Sequence, residues 1–351
     1  MEKIVQPKSS INAIKKFSID QDIRKDKIKL DLNENLMGCS LKVIEALKKI
    51  TCEDIAEYPN YNNFLEKLSK YLNINKDNIL LTNGADDAIK AVMDGYLESG
   101  DEIIIPIPTF YLFELYSTFL GAKKILVNYN EDLSFPVDKI IEKINQNTKM
   151  IIFANPNNPT GTIVHQEDII RILDKAINSI VLIDEAYFQF SKKSSKDLIK
   201  QYENLIIIQT FSKGFGLAGV RLGYIISNKD VIQNINKVTL PFVVNGLSIV
   251  AGSAALDDLE FVNHYVGLVK ENRNYLTTEL SNLGVETYPS YANFIIANFG
   301  EKNNLIYEQL SEKDILVNNV SKQPMLEGCL RIAIGTKCQM ETLIEEIKNL
   351  L

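Results

Sequence analysis

Six short apolar runs rich in isoleucine and valine alternate with helix-patterned segments between residues 102 and 226. Strands buried on both faces have continuous apolar runs of this length, and strands that alternate with helices pair in parallel. The pattern therefore predicts an α/β fold built on a mostly parallel sheet. The six predicted strands are residues 102–107, 124–127, 149–154, 180–183, 205–209 and 222–226.

The pattern changes after about residue 245. A long helical stretch, broken once, precedes short strand patterns and two further helix patterns. The helical stretch covers residues 247–283, the strand patterns 285–288, 293–297, 315–317 and 330–334, and the two helices 304–313 and 340–350. We predict a large domain over residues 41–245 and a smaller α+β domain over residues 246–351, which an N-terminal arm of residues 1–40 joins.

Composition and charge argue against several classes of function. The chain has 351 residues, 46% of them hydrophobic, which is enough for a large core and a smaller domain. A net charge of −7 argues against wholesale binding to nucleic acid or an anionic membrane. No stretch reaches the roughly 20 apolar residues of a membrane helix, and residues 1–7 lack the apolar core of a signal peptide. The four cysteines form no CxxC pair and the two histidines stand alone, so we expect a soluble cytoplasmic protein with no metal site.

A lysine stands where a parallel sheet binds its ligands. Lys213 follows the predicted strand 205–209 and opens a glycine-rich loop. This places an amine at the carboxyl edge of the sheet. An isolated lysine there is usually a solvated surface residue, but the hydroxyls of Thr210 and Ser212 and the guanidinium of Arg221 suit a phosphate group. A lysine that forms a Schiff base beside a phosphate cup is typical of pyridoxal-phosphate chemistry.

Three upstream residues complete a set that can hold an aromatic ring. Asp184 ends the predicted strand 180–183, where its carboxylate suits either a pyridine nitrogen or a helix N-cap. Tyr187 follows three residues later and either donates to a phenolic oxygen or packs in the core. Asn158 lies in a proline-rich turn that either only reverses the chain or aims this amide at the same oxygen.

Two further features point to anion binding. The turn at Gly84 enters a helix after an apolar pair and presents free backbone N–H groups to a phosphate, through Ala85 and Asp86. Arg331 is the single charge in a strand-like apolar run and needs an anionic partner. That partner is either a structural carboxylate or a substrate anion.

Taken together, these residues resemble the fold-type I pyridoxal-phosphate enzymes of the aspartate aminotransferase superfamily, and within it the histidinol-phosphate aminotransferases. The resemblance covers most of the chain. It is carried by Leu32-Asn33-Glu34-Asn35, Tyr58-Pro59, Gly84-Ala85-Asp86, Pro108-Thr109-Phe110, residues 155–161, residues 184–187, Ser212-Lys213 with Arg221, and residues 328–331.

The resemblance implies a large domain with a mostly parallel seven-stranded sheet, a smaller α+β domain and pyridoxal 5'-phosphate as cofactor. It implies that Lys213 is the catalytic lysine, which links to the cofactor and then moves the α-proton. The implied cofactor ligands are Ala85, Asp86, Phe110, Asn158, Asp184, Tyr187, Thr210, Ser212, Arg221 and, from the neighbouring subunit of a homodimer, Tyr58. Arg331 would receive the carboxylate of glutamate or 2-oxoglutarate, and Asn33 would lie near the substrate.

Three departures from the family pattern surround the substrate rather than the cofactor. Asn318 stands where these enzymes usually carry a second arginine, Leu36 replaces a proline, and a Pro-Tyr element is missing from residues 9–13. The resemblance implies transfer between glutamate and imidazole-acetol phosphate, giving histidinol phosphate. The loss at Asn318 leaves open a three-carbon phosphate (dihydroxyacetone phosphate giving serinol phosphate), unless Lys322 replaces the arginine. A serine- or threonine-phosphate decarboxylase and a non-enzymatic regulator on the same scaffold are the further alternatives.

Overall fold

The computed structural model describes residues 5–6, 8–12 and 24–351. Much of the predicted N-terminal arm, residues 1–4, 7 and 13–23, lies outside the described residues. The strands in chain order are β1 Ile28–Lys29, β2 Ile79–Thr82, β3 Glu102–Ile107, β4 Lys123–Asn128, β5 Thr148–Ala154, β6 Ile180–Asp184, β7 Leu205–Thr210, β8 Gly223–Ser227, β9 Glu286–Thr287, β10 Phe294–Asn298, β11 Ile315–Leu316, β12 Asn318–Asn319 and β13 Cys329–Ala333.

The α-helices surround these strands. They are α1 Ser9–Asn12, α2 Leu41–Leu47, α3 Cys52–Ala56, α4 Asn62–Leu72, α5 Gly84–Tyr96, α6 Tyr111–Leu120, α7 Val137–Lys143, α8 Gln166–Lys175, α9 Phe188–Ser191, α10 Lys229–Asn236, α11 Gly246–Leu256, α12 Leu259–Asn282, α13 Asn303–Glu312 and α14 Lys337–Leu350. Short 3-10 turns lie at Lys76–Asn78, Lys196–Lys200, Ala218–Val220 and Gly300–Lys302. Across the described residues, no helix is long and apolar enough to cross a membrane.

The large sheet has seven strands in the order β2-β8-β7-β6-β5-β3-β4. All neighbours pair in parallel except β8, which is antiparallel to both β2 and β7. A parallel connection needs a crossover, usually a helix, whereas β7 and β8 are joined by a loop with one 3-10 turn. The prediction of a mostly parallel seven-stranded sheet in an α/β fold is confirmed.

The sheet is covered on both faces, which explains the continuous apolar runs. Along β6, Val181 and Ile183 join one core cluster, while Leu182 joins the cluster on the opposite face. Successive side chains of a strand point to opposite faces, so each position must be apolar when both faces are buried. Each such residue contributes about 1.5–3 kcal/mol of burial free energy.

The second sheet is antiparallel, in the order β12-β13-β10-β9. The strand predicted near residues 315–317 is present as β11, Ile315–Leu316. The chain pairs β11 with β1 in a separate two-stranded sheet, passes the buried Val317, and then pairs β12 with β13. The predicted break in the long helical stretch falls between α11 and α12, at Asp257 and Asp258. The residue boundaries of the two domains stay a prediction. Helix α11 begins at the predicted boundary but packs against α2 and α4, which belong to the predicted large domain.

The topology gathers three chain segments at one edge of the large sheet. Strands β5, β6 and β7 are parallel neighbours, with Ala154 opposite Asp184 and Asp184 opposite Ile208. Their carboxyl ends therefore open on the same side, and the loops that follow them meet there.

Candidate active site

A cavity of about 820 Å³ opens at this edge. It lies between the carboxyl ends of the large-sheet strands, the loop after β1, and β12 and β13 of the second sheet. Every predicted site residue except Tyr58 lines it. The lining residues are Leu32, Asn33, Glu34, Ala85, Asp86, Thr109, Phe110, Tyr111, Ala154, Asn158, Pro159, Asp184, Ala186, Tyr187, Thr210, Ser212, Lys213, Ala218, Arg221, Asn318, Gln323 and Arg331.

Asp184 closes β6 and is 5% exposed. Its Oδ1 accepts a hydrogen bond from the Ala186 backbone N–H at 2.9 Å. This is a contact with nearby backbone, of the kind expected from the helix N-cap alternative. Burial raises the pKa of Asp184 to about 7, and the charges of Asp86 and Glu185 add to the rise, while the Ala186 N–H and Lys213 oppose it. Because ionising a buried carboxyl is costly, a cationic group placed against Asp184 would stabilise its charged form.

Hydroxyls and a guanidinium form a compact anion-binding cup beside Asp184. Thr210 Oγ1 lies 3.0 Å from Ser212 Oγ, and Arg221 Nη1 donates to Ser212 Oγ at 3.4 Å. Arg221 Nη2 pairs with Asp86 in the first turn of α5 at 3.0 Å. Gly84 has a φ of 84°, a left-handed conformation that favours glycine, and a Cβ atom added there would lie 2.6 Å from Arg221 Nη2. The cup fits a phosphate group at the start of a 13-residue helix.

Lys213 lies between the cup and the loop after β1. Its Nζ donates to the Leu32 carbonyl at 2.9 Å and lies 5.7 Å from the centre of the Tyr187 ring. The amine therefore lines the cavity, and its hydrogen-bond partner is a neutral carbonyl. Phe110 is half-buried against Tyr111 and Phe113, with its remaining surface on the cavity.

Tyr187 and Asn158 are both oriented by neighbours that occupy their acceptor atoms. The Asn33 amide donates to the Tyr187 hydroxyl oxygen at 3.1 Å, and Arg331 Nη1 donates to Asn158 Oδ1 at 2.6 Å. The Tyr187 O–H and the Asn158 NH₂ group thus keep their donors for a ligand. Asn33 itself has a φ of 56°, a left-handed conformation that asparagine tolerates better than most residues.

Arg331 is 7% exposed, and its hydrogen-bond acceptors among the described residues are neutral. Besides Asn158, its Nη2 donates to the Asp31 carbonyl, its guanidinium lies 5.5 Å from the centre of the Phe294 ring, and its Nε has no partner. Burial lowers its pKa. Among the described residues no carboxylate forms an ion pair with Arg331, which favours the substrate-anion interpretation over the structural ion pair.

An acidic pair borders the same part of the cavity. Arg24 forms an ion pair with Asp31 at 2.8 Å and binds Glu34 through both terminal nitrogens. Glu34 is the member of this group that lines the cavity. It belongs to the Leu32–Asn35 motif, but sequence reasoning gave it no role.

Two amides lie near Arg331. Asn318 is opposite Arg331 in the β12–β13 register, and Gln323 lines the cavity from the following loop. Lys322, the predicted alternative to the missing arginine, is exposed and is not among the lining residues. Gln323 carried no signal in the sequence, since a neutral amide in a loop belongs to no motif.

A buried carboxylate outside the cavity supports the strand ends. Glu185 accepts hydrogen bonds from Ser194 Oγ, the Ser195 N–H and Gln209 Nε2, at 2.5, 2.6 and 2.7 Å. Gln209 Oε1 in turn accepts from the Tyr224 hydroxyl at 2.8 Å. Glu185 thereby ties the end of β6 to β7, directly before Thr210 and Ser212.

Tyr58 is not part of the cavity within one chain. It is 79% exposed and stacks on Phe242 with ring centres 4.4 Å apart. Its predicted role depends on a neighbouring subunit and stays a prediction.

These groups fit pyridoxal phosphate. Asp184 suits the ring nitrogen, the cup of Thr210, Ser212 and Arg221 suits the phosphate, and Lys213 is the amine between them. Tyr187 and Asn158 offer donors to a ring oxygen, as described above.

Known proteins resemble this chain along most of its length. The family model described as "Aminotransferase class I and II" matches residues 25–347. A histidinol-phosphate aminotransferase of Caldanaerobacter subterraneus subsp. tengcongensis is 36% identical over 337 residues, with 93% of each chain covered. The structure of histidinol-phosphate aminotransferase from Sinorhizobium meliloti, in complex with pyridoxal-5'-phosphate, has a TM-score of 0.89 at 20% identity and covers 99% of this chain and 98% of that one. L-threonine-O-3-phosphate decarboxylase from Porphyromonas gingivalis has a TM-score of 0.81 at 23% identity, with 92% and 98% covered. Below 25% identity, such likeness shows the shared fold.

Proposed function

The chain belongs to the class I and II aminotransferases, and from this premise we propose that it transfers an amino group between glutamate and imidazole-acetol phosphate, giving histidinol phosphate. It is a pyridoxal-phosphate-dependent aminotransferase of fold type I. The observation that carries the substrate proposal is Arg331, a buried guanidinium without a carboxylate partner among the described residues, in the same cavity as Lys213.

Lys213 is the reacting amine of the proposal. When bound, pyridoxal phosphate supplies an electron-accepting ring that weakens the bonds at the amine-bearing carbon of the substrate. Lys213 Nζ would hold the cofactor covalently at rest. Once a substrate amine had taken its place, Nζ would accept the proton from the substrate α-carbon and deliver it to the cofactor carbon that Nζ had occupied. Its neutral partner, the Leu32 carbonyl, leaves the amine free to do both.

Three residues act on the ring. The Asp184 carboxylate would stabilise a proton on the ring nitrogen, and its burial would make that interaction strong. The Tyr187 hydroxyl and the Asn158 amide would donate to the ring oxygen because Asn33 and Arg331 occupy their acceptor atoms. Arg331 therefore has two roles in the proposal: it binds the substrate anion and it orients Asn158.

Two half-reactions test the proposal on cofactor-loaded protein. Glutamate should convert the visible spectrum of the bound cofactor to that of its amine form, and histidinol phosphate should do the same in a separate titration. Conversion by glutamate without conversion by histidinol phosphate would reject the substrate and keep the aminotransferase.

A three-carbon phosphate is the second candidate, because Asn318 replaces a family arginine and lines the cavity. Serinol phosphate, used in the same titration, separates the two. Conversion by serinol phosphate alone would favour the smaller substrate. Release of carbon dioxide from serine or threonine phosphate would instead identify a decarboxylase.

We also propose a homodimer in which Tyr58 reaches the phosphate cup of the partner subunit. Two chain segments, one around Asp54 and one around Gly246, lie close together: a Cβ atom built on Gly246 would be 3.8 Å from the Asp54 carbonyl oxygen. Both segments carry exposed apolar side chains. These side chains are Ile55, Tyr58, Leu240, Phe242 and Leu247. A surface of this kind is typical of an interface. Light scattering should give about twice the mass of 39.7 kDa for one chain; a monomer that keeps full activity would contradict the proposal.

The proposed compartment is the cytoplasm. All four cysteines are free thiols in the structure, which is the usual state there. Fractionation of cells with an antibody to the protein tests this placement.

A further inference from the structure

Two amide side chains have unused hydrogen-bonding capacity. They lie in the part of the cavity that holds Arg331 and is proposed to bind the substrate, called the substrate half below. Asn318 and Gln323 both line the cavity, and within the described part of the chain neither side chain makes a hydrogen bond. By contrast the next residue, Asn319, is engaged with Asn304 and Ser321 away from the cavity. A free amide offers an acceptor oxygen and two N–H donors to a ligand.

The charges around these amides cancel. Arg331 and Arg24 carry two positive charges, and Asp31 and Glu34 carry two negative charges, with Arg24 bound to both carboxylates. Lys213 and Arg221 are not counted, because they lie in the part of the cavity that is proposed to hold the cofactor, called the cofactor half below. An arginine in place of Asn318 would leave an excess of one positive charge, whereas the wall as it stands has none.

A phosphate monoester titrates between its singly and doubly charged forms near neutral pH, with a second pKa of about 6. Arginine has only donors, so a pair of arginines favours the doubly charged form. An amide oxygen can accept a hydrogen bond from a protonated phosphate, and a wall without excess positive charge disfavours a second negative charge.

We propose that Asn318 and Gln323 form an amide subsite beside Arg331 that binds the substrate phosphate in its singly charged form. Arg331 pairs with the charged oxygen, and an amide oxygen accepts from the P–OH group. The inference rests on the proposed phosphorylated substrate and makes Asn318 and Gln323 determinants of its charge state.

Other ionisable groups near the subsite bear on any pH dependence. The elements packed against β12 carry Arg331 and Cys329 on β13 and Tyr307, Glu308 and Glu312 on α13, and Lys322 lies in the following loop. The others are Glu34, which lines the cavity, its ion-pair group with Arg24 and Asp31, and the cavity residues Lys213, Tyr187 and Asp184. An anion whose charge does not change with pH controls for all of them.

The test compares inorganic phosphate with sulfate, which stays doubly charged between pH 5.5 and 8.5. Each anion is titrated into cofactor-loaded protein by calorimetry, and competition with glutamate in the half-reaction shows that it occupies the cavity. The variants are Asn318→Arg, Asn318→Leu, which removes the acceptor, and Asn319→Arg, the same change one residue further on and outside the cavity.

For the unmodified protein we expect phosphate to bind about tenfold more tightly than sulfate at pH 5.5 and to lose that advantage by pH 8.5. Asn318→Arg should tighten sulfate binding about tenfold and make phosphate bind better as the pH rises. Asn318→Leu should abolish the preference for phosphate, and Asn319→Arg should behave as the unmodified protein.

A phosphate-to-sulfate ratio that stays flat or rises with pH in the unmodified protein would overturn the inference. So would equal behaviour of Asn318→Arg and Asn319→Arg. The outcome is separable from the proposed function: if the anions behave as expected but histidinol phosphate gives no conversion, the subsite stands and that substrate is rejected.

Discussion

The two halves of the cavity are built differently. In the cofactor half, Asp184, Thr210 and Ser212 come from the ends of neighbouring parallel strands and are bound to one another or to adjacent backbone. In the substrate half, Arg331 and Asn318 come from a short antiparallel sheet, and Asn318 makes no side-chain hydrogen bond within the described residues. We expect the half whose polar groups are already bound to fix the reaction type, and the half with free polar groups to set which substrate reacts.

The largest effect should come from the cofactor half. Lys213→Ala removes the residue that we propose as both covalent anchor and proton carrier, so we expect turnover to fall by about 10⁴-fold or more. Steady-state assays with glutamate as donor measure it. Lys322→Ala is the matched control, because Lys322 is exposed and lies outside the cavity lining. Normal turnover by Lys213→Ala would refute the assignment.

The next largest effect should come from removing the buried carboxylate that we propose for the ring nitrogen, Asp184. Asp184→Asn keeps the shape but loses the carboxylate, so we expect a fall in turnover of about 10²–10³-fold. The control is Asp138→Asn, a surface carboxylate paired with Arg171. A loss of less than tenfold would mean that the cofactor half has less control over the reaction than its buried carboxylate indicates.

The same residue predicts a pH dependence of stability in the cofactor-free protein. Burial raises the pKa of Asp184 from 3.8 to about 7. The folded protein therefore holds a proton that the unfolded chain releases above about pH 4. Its stabilising contribution is complete below that pH and is lost as the pH rises through about 7, by up to about 4 kcal/mol.

Urea unfolding of cofactor-free protein at pH 5 and pH 8 checks this sign. The free energy of unfolding should decline with pH more steeply for the unmodified protein than for Asp184→Asn. An equal slope for both proteins would contradict a buried, proton-binding Asp184.

The smallest effect should come from the proposed subunit contact. Tyr58→Phe removes one hydroxyl from the phosphate of the partner's cofactor, so we expect about tenfold weaker cofactor binding, measured by fluorescence titration. Tyr307→Phe, an exposed tyrosine on α13, is the control. Hybrids of Lys213→Ala and Tyr58→Phe chains should recover unmodified cofactor affinity at the intact lysine; hybrids with the weakened affinity would place Tyr58 in its own chain's site.

The cofactor half was largely predictable from the sequence. Asp184, Asn158 and Lys213 each follow a short apolar run, and parallel strands bring their carboxyl ends to one edge. The sequence motifs therefore predicted both which residues form this half and that these residues lie close together. The antiparallel direction of β8 was not foreseen, because residues 222–226 look like any other buried strand.

The substrate half was less predictable. Arg331 stood out as one charge in an apolar run, but its bond to Asn158, 173 residues away, depends on how the two sheets face each other. Gln323 has no local signature, and the switch of pairing at Val317 depends on tertiary contacts with β1. Long-range packing, rather than local pattern, decides these features.

The most direct measurement of the central claim is the site of covalent attachment of the cofactor. Borohydride reduction of the loaded protein makes the link between lysine and cofactor permanent, and mass spectrometry of a tryptic digest locates it. We predict the added mass on the peptide of residues 201–221, at Lys213, which stays uncut there. Attachment at any other lysine, or no attachment, would contradict the account.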